Sequence, residues 1–282
     1  MQGQVEHQSP GWQARLVLRF AHTGDATVLQ ESTGYGPLRI QRPFQPEGKR
    51  ACQVVLLHPP GGLVGGDRLE IEVALAPGAQ VLLTTPAANR FYRSAGAEAM
   101  QQVELNLAEN AWLEWLPQET LVYDQAIGRQ TLKVELAPGA HFMGWEITRF
   151  GRSAHDERFT RGSWHNSFEI WQAGLPLWLD RQVLEGGSSL LASPYGLAGF
   201  PVLGSFVFVG ASLERDLLDA LREQPPAPTQ GEFGLSRLSQ GLLCRYRGWS
   251  SAEARSLFTL VWDQLRRAFL GRPACIPRIW HT

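Results

Sequence analysis

The run VVLLHPPGGLVGGDRLEIEVALAPGAQVLLTTPAANRFYRS, Val54–Ser94, decides how the rest of the chain is read. Val54–Leu57 is uninterrupted and apolar. It enters the loop His58-Pro59-Pro60-Gly61-Gly62, which a second glycine pair, Gly65-Gly66, and then Asp67 bring to a close. Leu69, Ile71, Val73 and Leu75 then alternate with Glu70, Glu72 and Ala74, a period of two that predicts a strand with one buried face. A glycine loop after an apolar strand invites a phosphate-cradle reading. Such cradles need a helix N-terminus behind the glycines, and here a strand follows, with no Lys-Ser/Thr pair. What the loop offers is glycines that tolerate φ > 0 or admit a close backbone, and one carboxylate at its exit.

Outward from this stretch, the segment Leu75-Ala76-Pro77-Gly78-Ala79-Gln80-Val81 recurs as Leu107-Ala108-Glu109-Asn110-Ala111-Trp112-Leu113 and Leu136-Ala137-Pro138-Gly139-Ala140-His141-Phe142, at spacings of 32 and then 29 residues. A strand, a tight turn and a return strand at such a period predict stacked or rolled β coils, each burying its apolar face against the next. The competing reading is ordinary hairpin chemistry recurring by chance. Upstream, Trp12, Ala14, Leu16, Leu18 and Phe20 alternate, Thr23-Gly24-Asp25 turns the chain, and Ala26–Glu31 returns. Gly34–Pro46, rich in Gly and Pro, suits an edge strand or an irregular crossing.

Downstream, strands are expected over Phe142–Phe150, Ser163–Gln172, Leu175–Leu184 and Phe206–Val209, with a small-residue connection over Gly186–Gly204. Two helices follow, separated by a proline-rich loop over Gln224–Gly231. The first, about 212–223, starts at Ser212 and presents Leu213, Leu217, Leu218 and Leu221. The second, 251–270, opens on a Ser250/Glu253 capping box, carries Ala254, Leu257, Phe258, Val261, Trp262, Leu265 and Phe269 on one stripe, and stops at Gly271. The tail Pro273–Thr282 is too short and proline-rich to fold alone and is expected to dock back. The expected fold is mainly β, stacked or rolled strands of β-helix-like topology over about 10–210, plus two α-helices in the C-terminal half. The length allows one large β domain or two small ones, and a single domain over 1–282 is expected.

Composition narrows the function. The apolar share of 44% suffices for a core, while a net charge of −1 and a charged share of 19% leave no electrostatic footprint for nucleic acid or a membrane surface. The polar first twelve residues lack an apolar signal core, and no long apolar run occurs, so a cytoplasmic protein is the simplest reading. Cys52, Cys244 and Cys275 are odd in number and far apart, which permits neither a disulfide framework nor a four-cysteine zinc site. No nucleophile elbow, paired His motif or dinucleotide fingerprint is present. His155-Asp156-Glu157 and the pair Glu119 and Asp124 read as solvated turns with nothing to orient them for acid/base work.

More informative are single carboxylates inside apolar β sequence: Glu146 in Phe-Met-Gly-Trp-Glu-Ile, Glu169 in Ser-Phe-Glu-Ile-Trp, Asp180 in Leu-Trp-Leu-Asp-Arg, and Asp67 at the loop exit. A buried carboxylate is costly unless paired, hydrated or coordinating a cation. Each could point to solvent or pair with an arginine. Alternatively, together they could line an oxygen-rich passage that binds a divalent ion weakly enough to release it. Histidines are scattered without ligand spacing, which argues against a permanent tight metal site.

The motifs His58-Pro-Pro-Gly-Gly-Leu-Val-Gly-Gly-Asp67, Leu82-Leu-Thr-Thr-Pro86 and Phe91-Tyr-Arg-Ser94 resemble those of the urease accessory protein UreD (UreH) family. Trp115-Leu-Pro-Gln-Glu-Thr120, Gly144-Trp-Glu146 with Gly151-Arg152, Gly196-Leu-Ala-Gly199, Gly271-Arg-Pro-Ala-Cys275 and Pro277-Arg-Ile-Trp280 continue the likeness in order over nearly the whole chain. The resemblance implies a non-enzymatic scaffold that binds apo-urease, recruits UreF and, through it, the GTPase UreG, and helps insert nickel into urease. It also implies a β-rich fold with helically stacked strands and two helices, and an acidic internal tunnel for nickel. By motif, the tunnel residues would be Asp67, Glu146, Asp180 and Glu169, with Asn89 lining it. Arg90, Tyr92 and Arg93 are the candidate partner contacts. No permanent cofactor is implied, only transient Ni2+. The alternatives are a pure protein-binding scaffold without nickel transit, and a carbohydrate-acting or ligand-binding β-solenoid that lacks a defined carboxylate pair.

Overall fold

The computed structural model describes residues 11–152, 155–223 and 226–281. The polar start of the chain, the first residues of the Gln224–Gly231 loop and Thr282 lie outside the described residues. The chain opens with a hairpin, β1 (Gln13–Thr23) and β2 (Ala26–Tyr35), then the short β3 (Arg39–Ile40) and the apolar β4 (Ala51–Leu57). Three coils of one plan follow: a long strand, a tight turn, a second strand and a short third side. They are β5 (Arg68–Leu75), β6 (Gln80–Thr84) and β7 (Asn89–Phe91); β8 (Ala99–Leu107), β9 (Trp112–Leu116) and β10 (Thr120–Val122); and β11 (Ile127–Leu136) with β12 (His141–Phe150), whose end forms the third side against β10.

The recurring Leu-Ala motif is the coil repeat itself. Leu75 lies beside Leu107 and Leu107 beside Leu136, and Gln80, Trp112 and His141 align in the same way, all in parallel register. The turn residues Gly78, Asn110 and Gly139 take φ of 73°, 57° and 71°, the left-handed conformation that glycine and, among the other residues, asparagine accept most readily. Ala79, Ala111 and Ala140 behind them are fully buried. The amides of Trp112 and His141 each donate at 2.8 Å to the alanine carbonyl one coil back, Ala79 and Ala111. Chance hairpins would show none of this interlocking.

A second hairpin, β13 (Ser163–Gln172) and β14 (Leu175–Glu185), ends the first sheet, whose order is β14-β13-β11-β8-β5-β1-β2. The second sheet continues past β12 through β15 (Val202–Val209), with α1 (Ser189–Ala192) in the connection before it and α2 (Arg215–Glu223) after it. It ends on the hairpin β16 (Gly231–Leu238) and β17 (Gly241–Gly248), and α3 (Ser251–Leu270) follows. The inward residues of both sheets, among them Leu18, Val73, Val103, Val134, Phe142 and Phe168, form the main core. The outward residues of the second sheet, Met143, Trp145, Phe206 and Phe208, form another under α3, whose stripe Ala254, Leu257, Phe258, Val261, Trp262 and Leu265 is buried there.

Three boundaries differ from the sequence expectation. Strand structure continues to Gly248 instead of ending near 210, because the alternation in Gly231–Gly248 mixes arginine and glycine with its apolar residues and carries a weak period. A single helical turn, α1, interrupts the Gly186–Gly204 connection. α2 begins at Arg215, three residues after Ser212, since Leu213 is already committed to the core beneath α3 while the chain is still extended. The tail docks as expected. The Ala274 amide donates to Asp263 at 2.7 Å, and the Trp280 indole N–H donates to Thr84 Oγ1 at 2.8 Å, with its ring 5.7 Å from that of Trp145.

Candidate functional site

Coil stacking puts residues of equal phase on one line, and one such line in the core is polar. On the first sheet the register runs from Gln101 to Gln130, Asn166 and Gln182 on successive strands. On the second, Glu146 lies beside Ser205 and Ser205 beside Arg245. On the short side, Asn89, Thr120 and Thr148 align. Adjacent strands are about 4.8 Å apart, so these ladders form a polar file that crosses the strands and runs along the coil axis.

Hydrogen bonds tie the file together in three groups. Asn89 Nδ2 donates to Gln101 Oε1 at 3.0 Å and Thr120 Oγ1 to Gln130 Oε1 at 3.1 Å. Gln130 Nε2 and Asn166 Nδ2 each donate to Glu146 at 2.9 Å, one to each carboxylate oxygen. Asp180 Oδ2 then accepts from Gln182 Nε2 and the Arg245 guanidinium, both at 3.0 Å. A cavity of about 110 Å³, walled by Leu56, Leu69, Ile71, Val103 and Trp115, reaches from Asn89, Arg90 and Gln118 at its rim to Glu146 at its floor. Beyond Glu146 a pocket of about 10 Å³, room for about one water, is lined by Asn166, Asp180 and Ser205. Asn166 Oδ1 is buried there with no hydrogen-bond partner.

Burial pushes the Glu146 carboxyl up to about 7. The nearby Asp180 charge adds to the rise, while the Asn166 and Gln130 amides oppose it. Burial likewise holds the imidazole of His58, on the wall of the larger cavity, below its ordinary value, with Asp67 acting against that shift. Among the described residues no three His, Cys, Asp or Glu side chains converge as a metal cage. The donor set is single carboxylates spaced by amide and hydroxyl oxygens, a chemistry suited to a hydrated hard or borderline cation held briefly.

The structure brings Glu146, Asp180 and Asn89 into this file and leaves Asp67 and Glu169 out of it. Asp67 is buried, but Oδ1 accepts from the Trp12 amide at 2.7 Å and Oδ2 from the Val64 amide at 2.9 Å, and it lines neither cavity. The end of the glycine loop packs directly on Gly11, just before β1, while Gly62 and Gly65 pack against Tyr92 and Ser94. A Cβ on Gly11 would fall 2.0 Å from the Gly66 carbonyl carbon. Glu169 is outward on β13, where Arg181 at 2.7 Å, Ser167 at 2.9 Å and Trp171 at 3.0 Å satisfy it. Of the proposed partner contacts, Arg90 donates to the Gly61 carbonyl at 3.0 Å, Tyr92 packs edge-on against Tyr123, and Arg93 is exposed. Glu119 pairs with Arg255 at 2.8 Å, and Asp124 accepts from the Thr160 and Arg161 amides at 2.7 and 2.9 Å, which are structural tasks.

Sequence reasoning passed over the neutral half of the file, Gln101, Thr120, Gln130, Asn166 and Ser205, and its cation Arg245. A signal exists: Gln101 and Gln130 are 29 residues apart, the second coil spacing, and both stand in phase with apolar inward neighbours. It also passed over Arg266 on α3, fully buried against Glu47 and Glu114, because an arginine next to a helical stripe reads as solvated.

The fold is a β coil with a ladder of polar side chains in its core and a helix covering one outer face. The family model for "UreD urease accessory protein" matches residues 13–281. Proteins described as urease accessory protein UreD are similar along their whole length. One from Acaryochloris marina is 52% identical over 98% of this chain and 99% of its own, and one from Nostoc sp. is 50% identical over 96% and 97%. One from Azoarcus sp. is 44% identical over 97% and 95%. The chain belongs to the UreD family of urease accessory proteins.

Proposed function

We propose that this chain is a maturation scaffold for urease that binds the apo-enzyme, recruits UreF and, through it, UreG, and carries nickel as cargo along the polar file toward the urease active site. The observation that carries the reading is the alignment of polar groups in the core: Asn89 with Gln101, then Thr120, Gln130, Glu146 and Asn166, then Asp180, with cavities on both sides of Glu146. Oxygen ligands gathered in a core are expensive unless something polar moves through or fills the space between them. Glu146, poised near neutrality, exchanges a proton for a cation at little cost. The work is done in the cytoplasm, with exposed Arg93 among the contacts offered to a partner.

The test is Glu146→Gln and, separately, Asn89→Trp to obstruct the larger cavity. Each should leave co-purification with UreF and urease intact while lowering the nickel content of the matured enzyme. Full nickel loading by a folded Asn89→Trp protein would overturn the transit and leave a pure scaffold.

A further inference from the structure

The two ends of the file differ in charge. At the larger cavity the rim carries Asn89 and Gln118, and the one cation there, Arg90, is bound to a backbone carbonyl. At the far end a cation already sits on the carboxylate: Arg245, on β17, places Nη1 3.0 Å from Asp180 Oδ2 and its guanidinium carbon 5.9 Å from the Trp178 ring centre. The Arg245 side chain is 42% exposed and that of Asp180 10%, so the positive charge stands at the boundary between file and solvent.

We propose that Arg245 is a built-in counter-cation that closes the Asp180 end of the file and must leave Asp180 before a divalent cation can occupy or pass that end. The inference rests on the nickel-path reading above. A divalent ion entering the small pocket and bound to Asp180 would share that carboxylate with the guanidinium, 3.0 Å from its Oδ2, and repulsion between two cations on one carboxylate is strong. A second observation points to a missing cation there. Asn166, 8% exposed, lines the pocket and leaves its Oδ1 without a donor, so the site holds more acceptor oxygens than Arg245, Gln182 and Ser205 satisfy.

Arg245 is held less firmly than Arg266 and Arg181. Arg266 is fully buried between two carboxylates, and Arg181 is held on the outer face by Glu169. Arg245 has one ion pair and one ring contact and its side chain is 42% exposed, so its guanidinium is rehydrated as it leaves, while the incoming cation takes over the charge on Asp180.

The experiment is nickel binding to the purified full-length chain by calorimetry, with Ni2+ alone as the probe, alongside the nickel content of urease matured with each variant. Arg245→Gln keeps a hydrogen bond to Asp180 without the charge and should bind Ni2+ at least about tenfold tighter than the native chain, the effect of removing one contacting like charge. Arg245→Lys keeps the charge and should stay within about threefold of the native affinity. Thermal melts and near-ultraviolet circular dichroism establish that each variant is folded. A folded Arg245→Gln protein with unchanged or weaker nickel binding overturns the gate. Should Arg245→Gln behave as expected while Glu146→Gln still loads urease fully, the transit reading fails and the gate on the binding pocket stands. Should Glu146→Gln impair loading while Arg245→Gln is inert, only the gate falls.

Discussion

Gln130 and Glu146 meet across the core: the Gln130 amide on the first sheet donates to Glu146 Oε1 on the second at 2.9 Å, with Asn166 completing the other oxygen. Two neutral donors do not replace the hydration of a carboxylate, so the pair holds Glu146 in place while leaving its charge costly. That balance governs the first prediction.

The Glu146 carboxyl, ordinarily at 4.5, stands at about 7 in the fold. Its folded value is raised, so its favourable contribution is full below 4.5 and is lost as pH rises through 7. The span corresponds to on the order of 3 kcal/mol at most. Urea midpoints measured at about pH 5 and about pH 8 should fall for the native chain and fall distinctly less for Glu146→Gln. The Gln amide can turn toward the unpartnered Asn166 Oδ1, so this variant should fold. Equal slopes in the two proteins would refute the assignment.

Arg266 neutralises Glu47 and, at 3.4 Å, Glu114 beneath α3, where burial pushes the Glu114 carboxyl up and the Arg266 charge holds it down. Arg266→Ala leaves the buried Glu114 without its cation, with Glu47 keeping Arg272 at 3.6 Å, and should cost about 3–5 kcal/mol. Adding Glu114→Gln to Arg266→Ala should recover part of the loss. Denaturant titration of the single and double variants measures it, and additive losses would show that the groups do not act as a pair.

The stacked turns predict opposite outcomes for similar changes. Asn110→Gly, at φ 57°, should be nearly neutral, since Gly78 and Gly139 occupy the same place one coil away. Gly139→Val, at φ 71° and with a Cβ that would lie 2.4 Å from Asn110 Oδ1, should lose at least about 2 kcal/mol. Thermal midpoints decide it, and a tolerated Gly139→Val would contradict the interlocked turns.

Trp280 fastens the tail through Thr84 and the rings of Trp145 and Trp262. Trp280→Ala should cost about 2–3 kcal/mol, less than a fully buried tryptophan because its ring is half-buried. It should also raise amide exchange over residues 273–281 while sparing the coils. Unchanged exchange in the tail would mean that Arg272, bonded to Gln80 at 2.9 Å, anchors it instead.

Much of the fold was legible because its signals are local. Alternation in Leu69–Leu75, the Leu-Ala turns and the capped stripe of α3 depend on neighbours a few residues away. They led to the coil plan and to strand ends such as Ser163–Gln172, which the structure reproduces. Ser250 accepts from the Glu253 amide at 3.2 Å, as a capping residue does. The Glu253 carboxylate, however, turns away to Thr229, Gln230 and Tyr246, partners that no local pattern announces. Within the candidate site, the outward place of Glu169 could have been read from the inward phase of Trp164, Phe168 and Ile170 on the same strand.

By itself, then, the chain's sequence determined the β coil, its repeat and turns, the last helix, and the family motifs spread along it, since all of these are written in periodicity and turn chemistry. Only the tertiary structure decided which carboxylates share an interior. Asp67 is claimed by the amide of Trp12, 55 residues away. Glu146 is bound by amides from two other strands, and Asp180 is capped by Arg245 from β17, next to the edge of the opposite sheet. A carboxylate's surroundings are set by whichever strands the stacking brings beside it, and that pairing is a property of the whole coil.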